Sequence, residues 1–428
     1  MTADSFPTPP SRRRPRQPPA SSSARLTGRP VLLLRVQNYN KVSFGALLGA
    51  TPPDLLAQVD LLIWEKYGPP PAIPADHPTL RLYSFMMPHA DQVLAELTRL
   101  RADLPPGHRH FFVVGGAQAS TNPETMDRFG FDLVVSGEGE AFFPRLLTDW
   151  LAGSPPRGRF RTGPEWVDLD RYPGFHPAIG YLPPIEISRG CRFGCNFCAV
   201  PRLYHGTLRH RSIHRIVEIA ERYREIFPAR RRVKFLSSNA FAYGSDGRTP
   251  NPAALHDLLE AIRKAGFPEI SLGSFPSEVR PDFVTREVLE VVRPYLTNRE
   301  IVIGLQSGDD ERLAAMHRGH TREQAMRALE LLREYQFTPH VDFIIGTPGE
   351  TAAQQREMVA FMEELIRRFG IRIHMHTFMA LPGAVWQDRP TRAIIPEVHE
   401  SLRRLARAGV LDGWWENQIG YARKRSGG

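Results

Sequence analysis

The chain has 428 residues, 42% of them hydrophobic and 24% charged, which is enough for more than one core, yet no apolar run is long enough to span a bilayer. Its formal charge of +9 is partly a property of one end, because in residues 1–28 five arginines oppose only Asp4, giving +4 and leaving +5 for the rest. So dilute an excess gives only weak support to a nucleic-acid footprint, and the expectation is a cytoplasmic protein with no membrane partner and no nucleic acid, the rival being a metal-binding regulator whose basic tail contacts nucleic acid. Residues 1–28, rich in Pro, Ser and Arg, have almost nothing to bury and are expected to be disordered. Ser11-Arg12-Arg13-Arg14-Pro15 is followed by no apolar stretch, so it does not read as an export signal.

Residues 29–153 read as one α/β domain. Strands are expected at Val31–Val36, Leu61–Trp64, Leu80–Ser84, Phe111–Val114 and Leu133–Val135, with helices over Ala90–Arg101 and Ala141–Leu151. Strands alternating with helices imply a parallel, doubly wound, Rossmann-like sheet. Gly115 and Gly116, following the fourth strand, would let the backbone approach a ligand closely, although a glycine pair is also an ordinary strand-to-helix turn. A linker rich in Gly, Pro and Arg is expected over 154–183.

All three cysteines of the sequence fall within eight residues, Cys191-Arg-Phe-Gly-Cys195-Asn-Phe-Cys198. An odd number of thiols on one Gly-punctuated loop points to one soft-metal site rather than to disulfides. Three thiolates can hold three corners of a 4Fe-4S cube, leaving one iron open to a non-protein ligand. The alternative is a zinc loop completed by a distant histidine, as in a non-catalytic metal-binding regulator.

Residues 184–385 repeat the strand-helix alternation six times, with strands at Ile185–Ser188, Val233–Ser237, Ile270–Gly273, Glu300–Gln306, His340–Ile345 and Ile371–Phe378. Six such units predict a partial (β/α)6 barrel, whose site lies at the carboxyl ends of the strands. Alternation along the strands sends Ile185, Ile187, Val341, Phe343, Ile345, Ile373 and Met375 outward. It sends Glu186, Asp342, His374 and His376 into the lumen, where they are the candidate catalytic residues of a polar substrate cavity; alternatively they hydrogen-bond one another and fix the strands. Residues 386–428 are expected to form a helical extension, with a helix over Ile395–Ala408 packed on the barrel by Trp414 and Trp415.

The C-x3-C-x2-C loop after a short strand resembles the cluster loop of the radical S-adenosylmethionine (SAM) enzymes. Gly304-Leu-Gln306-Ser307-Gly308, Arg318-Gly-His-Thr321 and Asp342-Phe-Ile-Ile-Gly346-Thr-Pro-Gly-Glu350 are similar to later strands of the subgroup with an N-terminal cobalamin-binding domain. The resemblance implies a 4Fe-4S cluster on Cys191, Cys195 and Cys198. It further implies SAM chelated at the open iron and cleaved to a 5′-deoxyadenosyl radical, an electron donor such as flavodoxin or ferredoxin, and a small-molecule or peptide substrate. Phe197 would lie beside the adenine. Ser237, Ser238 and Asn239 would hold the amino group, and Glu278, Arg280, Gln306 and Ser307 would reach the ribose hydroxyls and the carboxylate. In the first domain the resemblance implies cobalamin near Ser84, Gly115 and Gly116.

That subgroup carries Asp-x-His-x-x-Gly after the first strand, whereas this chain has Gln37-Asn-Tyr-Asn-Lys-Val-Ser-Phe44-Gly45. Either a corrin binds without a histidine below the cobalt, or the domain is empty and the chain is a cobalamin-independent oxidoreductase or isomerase. No thiol is left over for an auxiliary cluster, which argues against sulfur insertion of the methylthiotransferase type.

Overall fold

A computed structural model describes residues 26–65, 69–163 and 166–426. The first unit is a six-stranded, wholly parallel sheet of β1 (Val31–Arg35), β2 (Asp60–Trp64), β3 (Thr79–Ser84), β4 (His110–Gly115), β5 (Leu133–Ser136) and β6 (Gly158–Arg161), in the order β2-β1-β3-β4-β5-β6. Its central strands read as continuous apolar runs because both faces are covered: Leu32, Leu34 and Val113 belong to one core, and Leu33, Phe112 and Val114 to the other. The helix Phe142–Leu151 buries Phe142, Phe143, Leu146, Leu147 and Trp150, the spacing of a single apolar stripe.

Two expectations change here. The segment read as linker supplies β6, whose Gly-Arg-Phe-Arg sequence is mostly exposed, as suits a charged edge strand. Of the segment expected to be disordered, residues 1–25 lie outside the described residues. The remainder is anchored: Leu26 packs on the core, and Thr27 bonds Asp60 through its backbone N and its Oγ1, each at 2.7 Å.

The second unit is the predicted partial barrel. Its strands are β7 (Ile185–Glu186), the hairpin pair β8 (Ser188–Gly190) and β9 (Leu208–His210), then β10 (Arg232–Leu236), β11 (Glu269–Ser271), β12 (Glu300–Gln306), β13 (Thr338–Ile345), β14 (Arg372–Thr377) and β15 (Leu411–Asp412). The parallel sets β11-β10-β7 and β12-β13-β14-β15 are stitched by the parallel bridges Ile270 to Leu296 and Val279 to Ile303. Residues Ile185, Ile187, Val341, Phe343, Ile373 and Met375 lie in one continuous core with the surrounding helices. Helices Arg322–Glu334 and Ala352–Phe369 both open with a Thr/Gln capping box, Thr321 with Gln324 and Thr351 with Gln354.

The C-terminal extension is more than helical, since Leu411 and Asp412 add β15 to the barrel edge beside β14. The helix Pro396–Arg407 buries Val398, Leu402 and Leu405. Trp415 is in the core at 3% exposure, but Trp414, expected to pack with it, is 63% exposed. No helix among the described residues is long and apolar enough to cross a membrane.

Candidate active site

The cysteine loop leaves the β8–β9 hairpin through Gly190, whose φ of +96° and whose virtual Cβ, 2.1 Å from the Thr207 carbonyl oxygen, admit only glycine. The far side of the barrel then pins it. Asn196 donates its backbone N to Met316 O at 2.9 Å and its Nδ2 to Ala315 O at 2.8 Å, and Trp386 N donates to Asn196 O at 2.9 Å. Arg318 Nη1 lies 3.4 Å from Cys195 Sγ, and its Nη2 donates to Gly304 O.

The three thiols share a cavity of about 360 Å³ with Phe197, Ser237, Ser238, Glu278, Arg280, Gln306, Asp342 and His376. Cys195 is buried and the other two partly so. Burial pushes the Cys198 thiol up to about 12 and raises Cys191 as well, so these sulfurs become thiolates when a metal supplies the opposing charge. Three thiols converging on one cavity, with no compact three-ligand group of cysteine with histidine or carboxylate among the described residues, suit an iron–sulfur cube with an open corner better than a tetrahedral zinc site.

The shell is built for a polar ligand. Arg280 Nη1, Gln306 Oε1 and Asp342 Oδ1 are buried without a hydrogen-bond partner, an arrangement native proteins rarely leave unfilled. Gln306 has a φ of +80° at a shift in the β12–β13 register, a strained conformation for a residue with a side chain. Arg280 stacks over Phe193, 3.4 Å from the ring centroid, and bonds the Arg318 carbonyl at 2.6 Å.

Asp342, at the centre, is 3% exposed, and burial, reinforced by the facing Glu278 carboxylate, holds its carboxyl well above the ordinary 3.8. His376 is lowered to about 4 by burial and by His374, so it is a neutral imidazole at pH 7. Because the folded chain keeps the Asp342 proton where the unfolded chain has released it, stability falls as pH rises above the ordinary value toward the raised one. Asp342→Asn is expected to flatten that fall, measured as a smaller loss of melting temperature between pH 5 and pH 8 than in the unaltered chain.

Four sequence-derived candidates lie elsewhere. Glu186 faces the other domain, bonded to Arg189 at 2.7 Å. His374 sits one layer lower, with its Nδ1 2.5 Å from Asp412 Oδ1. Ser307 is buried outside the cavity lining, its Oγ accepting from Asp309 N at 3.2 Å, and Asn239 Oδ1 accepts from Arg280 N at 3.3 Å. Conversely, Arg318 and Gln418 reach the site although no sequence pattern singles either out. Gln418, from the helix Trp415–Ser426, accepts from Thr377 N at 2.8 Å and lies 3.3 Å from His376 Nδ1. Arg318 belongs to a quoted string, but its contact spans 123 residues of sequence.

A second cavity, of about 330 Å³, lies between the two units, lined by Phe44, Leu47, Leu82, Ser84, Gly115, Gly116, Glu186 and Tyr204 among others. Gly116 has a φ of +84°, and a Cβ there would stand 2.5 Å from Ser84 Oγ, so the glycine keeps this wall open. Asn40 knots the loop after β1 to it, donating to Arg35 O at 3.0 Å and Ser84 O at 2.7 Å while accepting from Gln37 N at 2.7 Å. Beside the cavity, Arg189 binds Glu138, Glu140 and Glu186 at 2.7–2.8 Å, and Arg209 binds Glu138 at 2.5 Å.

The model of the radical SAM superfamily matches residues 185–362, the span that holds the cysteine loop and β7 to β13. The chain is 27% identical over 346 residues to an uncharacterised protein of Methanopyrus kandleri, covering 66% of this chain and 63% of that one. It is 30% identical over 250 residues to a tRNA-2-methylthio-N(6)-dimethylallyladenosine synthase of Symbiobacterium thermophilum, covering 56% and 52%. It therefore spans less than two thirds of the length of either relative. Among solved structures, the radical SAM methyltransferase TsrM from Kitasatospora setae, with cobalamin and a [4Fe-4S] cluster bound, shares the fold at a TM-score of 0.58 and 16% identity, over 83% of this chain and 77% of that one. The cobalamin-dependent SAM radical enzyme OxsB, with aqua-cobalamin and SAM bound, does so at 0.55 and 16%, over 78% and 52%.

Proposed function

With a radical SAM domain over residues 185–362 behind a Rossmann-like domain, we propose that this chain cleaves SAM at a 4Fe-4S cluster on Cys191, Cys195 and Cys198 and uses cobalamin, held between the domains, to methylate a substrate in the barrel. The observation that carries the reading is the placement of the thiols and the unpaired Arg280, Gln306 and Asp342 atoms around one cavity, with a second cavity directly between the domains.

When bound, the cluster and SAM supply one-electron cleavage to a 5′-deoxyadenosyl radical, and the corrin supplies a transferable methyl group. The chain's own residues do the rest. Arg318 holds positive charge against Cys195 Sγ, and the Arg280 guanidinium offers its free Nη1 to a carboxylate. Gln306 presents an acceptor for a hydroxyl, and Ser237 and Ser238 line the side next to the thiols. Asp342, its carboxyl raised by burial and by the facing Glu278, is placed to hold a proton and donate a hydrogen bond, while neutral His376 can accept a proton from substrate. Phe197, Ile344 and Phe378 make the remaining walls apolar, which excludes water from a reactive radical.

Some relatives are named for methylthio transfer, but the three cysteines here are all committed to one loop, so methylation is favoured over sulfur insertion. The interdomain cavity favours occupancy by the corrin's nucleotide tail, whose flat base suits an apolar slot between Phe44, Leu82 and Val113.

The test is anaerobic reconstitution with hydroxocobalamin and SAM. Corrin absorbance retained at about one equivalent after gel filtration supports the reading; SAM cleavage with no corrin retained leaves the cobalamin-independent alternative. Gly116→Val is expected to lower corrin retention about tenfold or more, since its side chain would collide with Ser84 Oγ, while deoxyadenosine formation persists.

A further inference from the structure

One two-residue step below Asp342 and His376, at the amino-terminal end of the barrel strands, is a group of side chains that the SAM reaction does not use. His340 is the third residue of β13, His374 the third of β14, and Asp412 lies on β15, directly opposite His374 in the register. Strand alternation puts all three on the lumen face. Their ligand-capable nitrogen and oxygen atoms lie within 4.8 Å of one another. His374 Nδ1 is 2.5 Å and His340 Nε2 is 3.4 Å from the same Asp412 Oδ1.

These side chains are 15%, 28% and 40% exposed for His340, His374 and Asp412, so the group is sheltered yet reachable from solvent. His340 Nε2 is itself buried and makes no hydrogen bond of good geometry.

The charge balance favours a cation. Asp412 Oδ2 faces Arg372 Nη2 at 3.2 Å, and Arg372 Nη1 faces Glu300 at 3.5 Å, so Glu300 offsets the guanidinium and the Asp412 charge remains. Donors about 2.1 Å from a zinc-type ion stand about 3.0–3.5 Å apart. The 2.5 and 3.4 Å spacings reach that range with small ring rotations.

We propose that His340, His374 and Asp412 form a structural site for a zinc-type divalent cation, which clamps β15 of the C-terminal extension to β13 and β14. Two residues of pairing are too few to hold an edge strand by themselves. An ion bridging three adjacent strands adds to the anchoring that buried Leu411 and Trp415 supply, at the end of the barrel where stability rather than catalysis resides. The site shares no residue with the lining of the cysteine cavity, although the His374 ring lies 4.7 Å from that of His376.

The test uses the full chain reconstituted anaerobically with iron and sulfide, so that the thiolates are occupied, then incubated with zinc and gel-filtered. The expected result is about one zinc per chain and a melting temperature about 3 °C or more above that of the chelator-treated protein. His340→Ala and Asp412→Asn should each lower zinc retention about tenfold or more and abolish the thermal shift, with iron content unchanged. Asp412→Asn preserves shape and one hydrogen-bonding oxygen, so it reports even if the alanine variant folds poorly. Zinc below a tenth of an equivalent in the unaltered chain overturns the proposal. So does zinc retained undiminished by both variants, which would place it on the cysteine loop.

Discussion

Cys195→Ser is expected to reduce iron from about four to below one per chain after reconstitution, and to cut SAM-dependent deoxyadenosine formation by about 10³-fold or more. Cys195 is the most enclosed of the three sulfurs, at 5% exposure, and the one to which Arg318 gives its 3.4 Å contact. A serine oxygen is a hard, weakly acidic donor that does not replace a thiolate on iron. Nearly isosteric, it keeps the loop's contacts through Asn196 and Gly190, so far-UV circular dichroism should hardly change. A milder companion separates charge from ligation. Arg318→Gln keeps all three sulfurs but removes the cation beside one of them, and is expected to cost about 10- to 100-fold in deoxyadenosine formation with iron retained. Full activity in Cys195→Ser would remove the cysteine loop from the mechanism.

Arg189→Ala is expected to destabilise the joined domains by about 3–5 kcal/mol, the cost of stranding buried carboxylates without their cation. Arg189 is 12% exposed and bonds Glu138 and Glu140 of the first unit as well as Glu186 of the barrel, whose exposures are 8%, 9% and 22%. Arg209 remains on Glu138, leaving Glu140 and Glu186 as the orphans. Burial raises Glu138, but bonds from Arg209 and Arg189 override it and hold the carboxyl below the ordinary 4.5. Its contribution to stability is thus present above that pH and lost as the pH falls through the depressed value. The measurement is the urea midpoint at pH 7 and pH 4. A large loss at pH 7 that narrows at pH 4 is expected, and an unchanged midpoint at pH 7 would refute the clamp. Because Arg189 and Glu186 line the interdomain cavity, the same variant should also release corrin.

Most of the architecture was legible because its signals are local. Apolar runs bounded by Gly and Pro located β1, β3, β4, β12 and β13 to within a residue or two, and period-two alternation separated Ile373 and Met375 in the core from His374 and His376 in the lumen. The cysteine spacing placed the cluster loop. What sequence could not reveal came from chain that changes direction or meets distant chain. Strand alternation puts Glu186 in the lumen with Asp342, but β7 is only two residues long and the chain turns into the β8–β9 hairpin, so Glu186 faces the first domain. β6 was concealed in Arg-rich linker composition because an edge strand needs little apolar surface. β15 is too short for any periodicity, which hid Asp412 from the two histidines it meets about forty and seventy residues away. Arg318 and Gln418 reach the cavity from loop and tail positions that carry no pattern of their own.

The central claim is that the three sulfurs carry a cube with one iron open to SAM. Electron paramagnetic resonance of the anaerobically reconstituted, reduced protein tests it most directly. A [4Fe-4S]⁺ signal that changes on adding SAM, and is absent from Cys195→Ser, is the predicted result. A protein holding zinc in place of iron on those sulfurs, or a cluster signal indifferent to SAM, would contradict it.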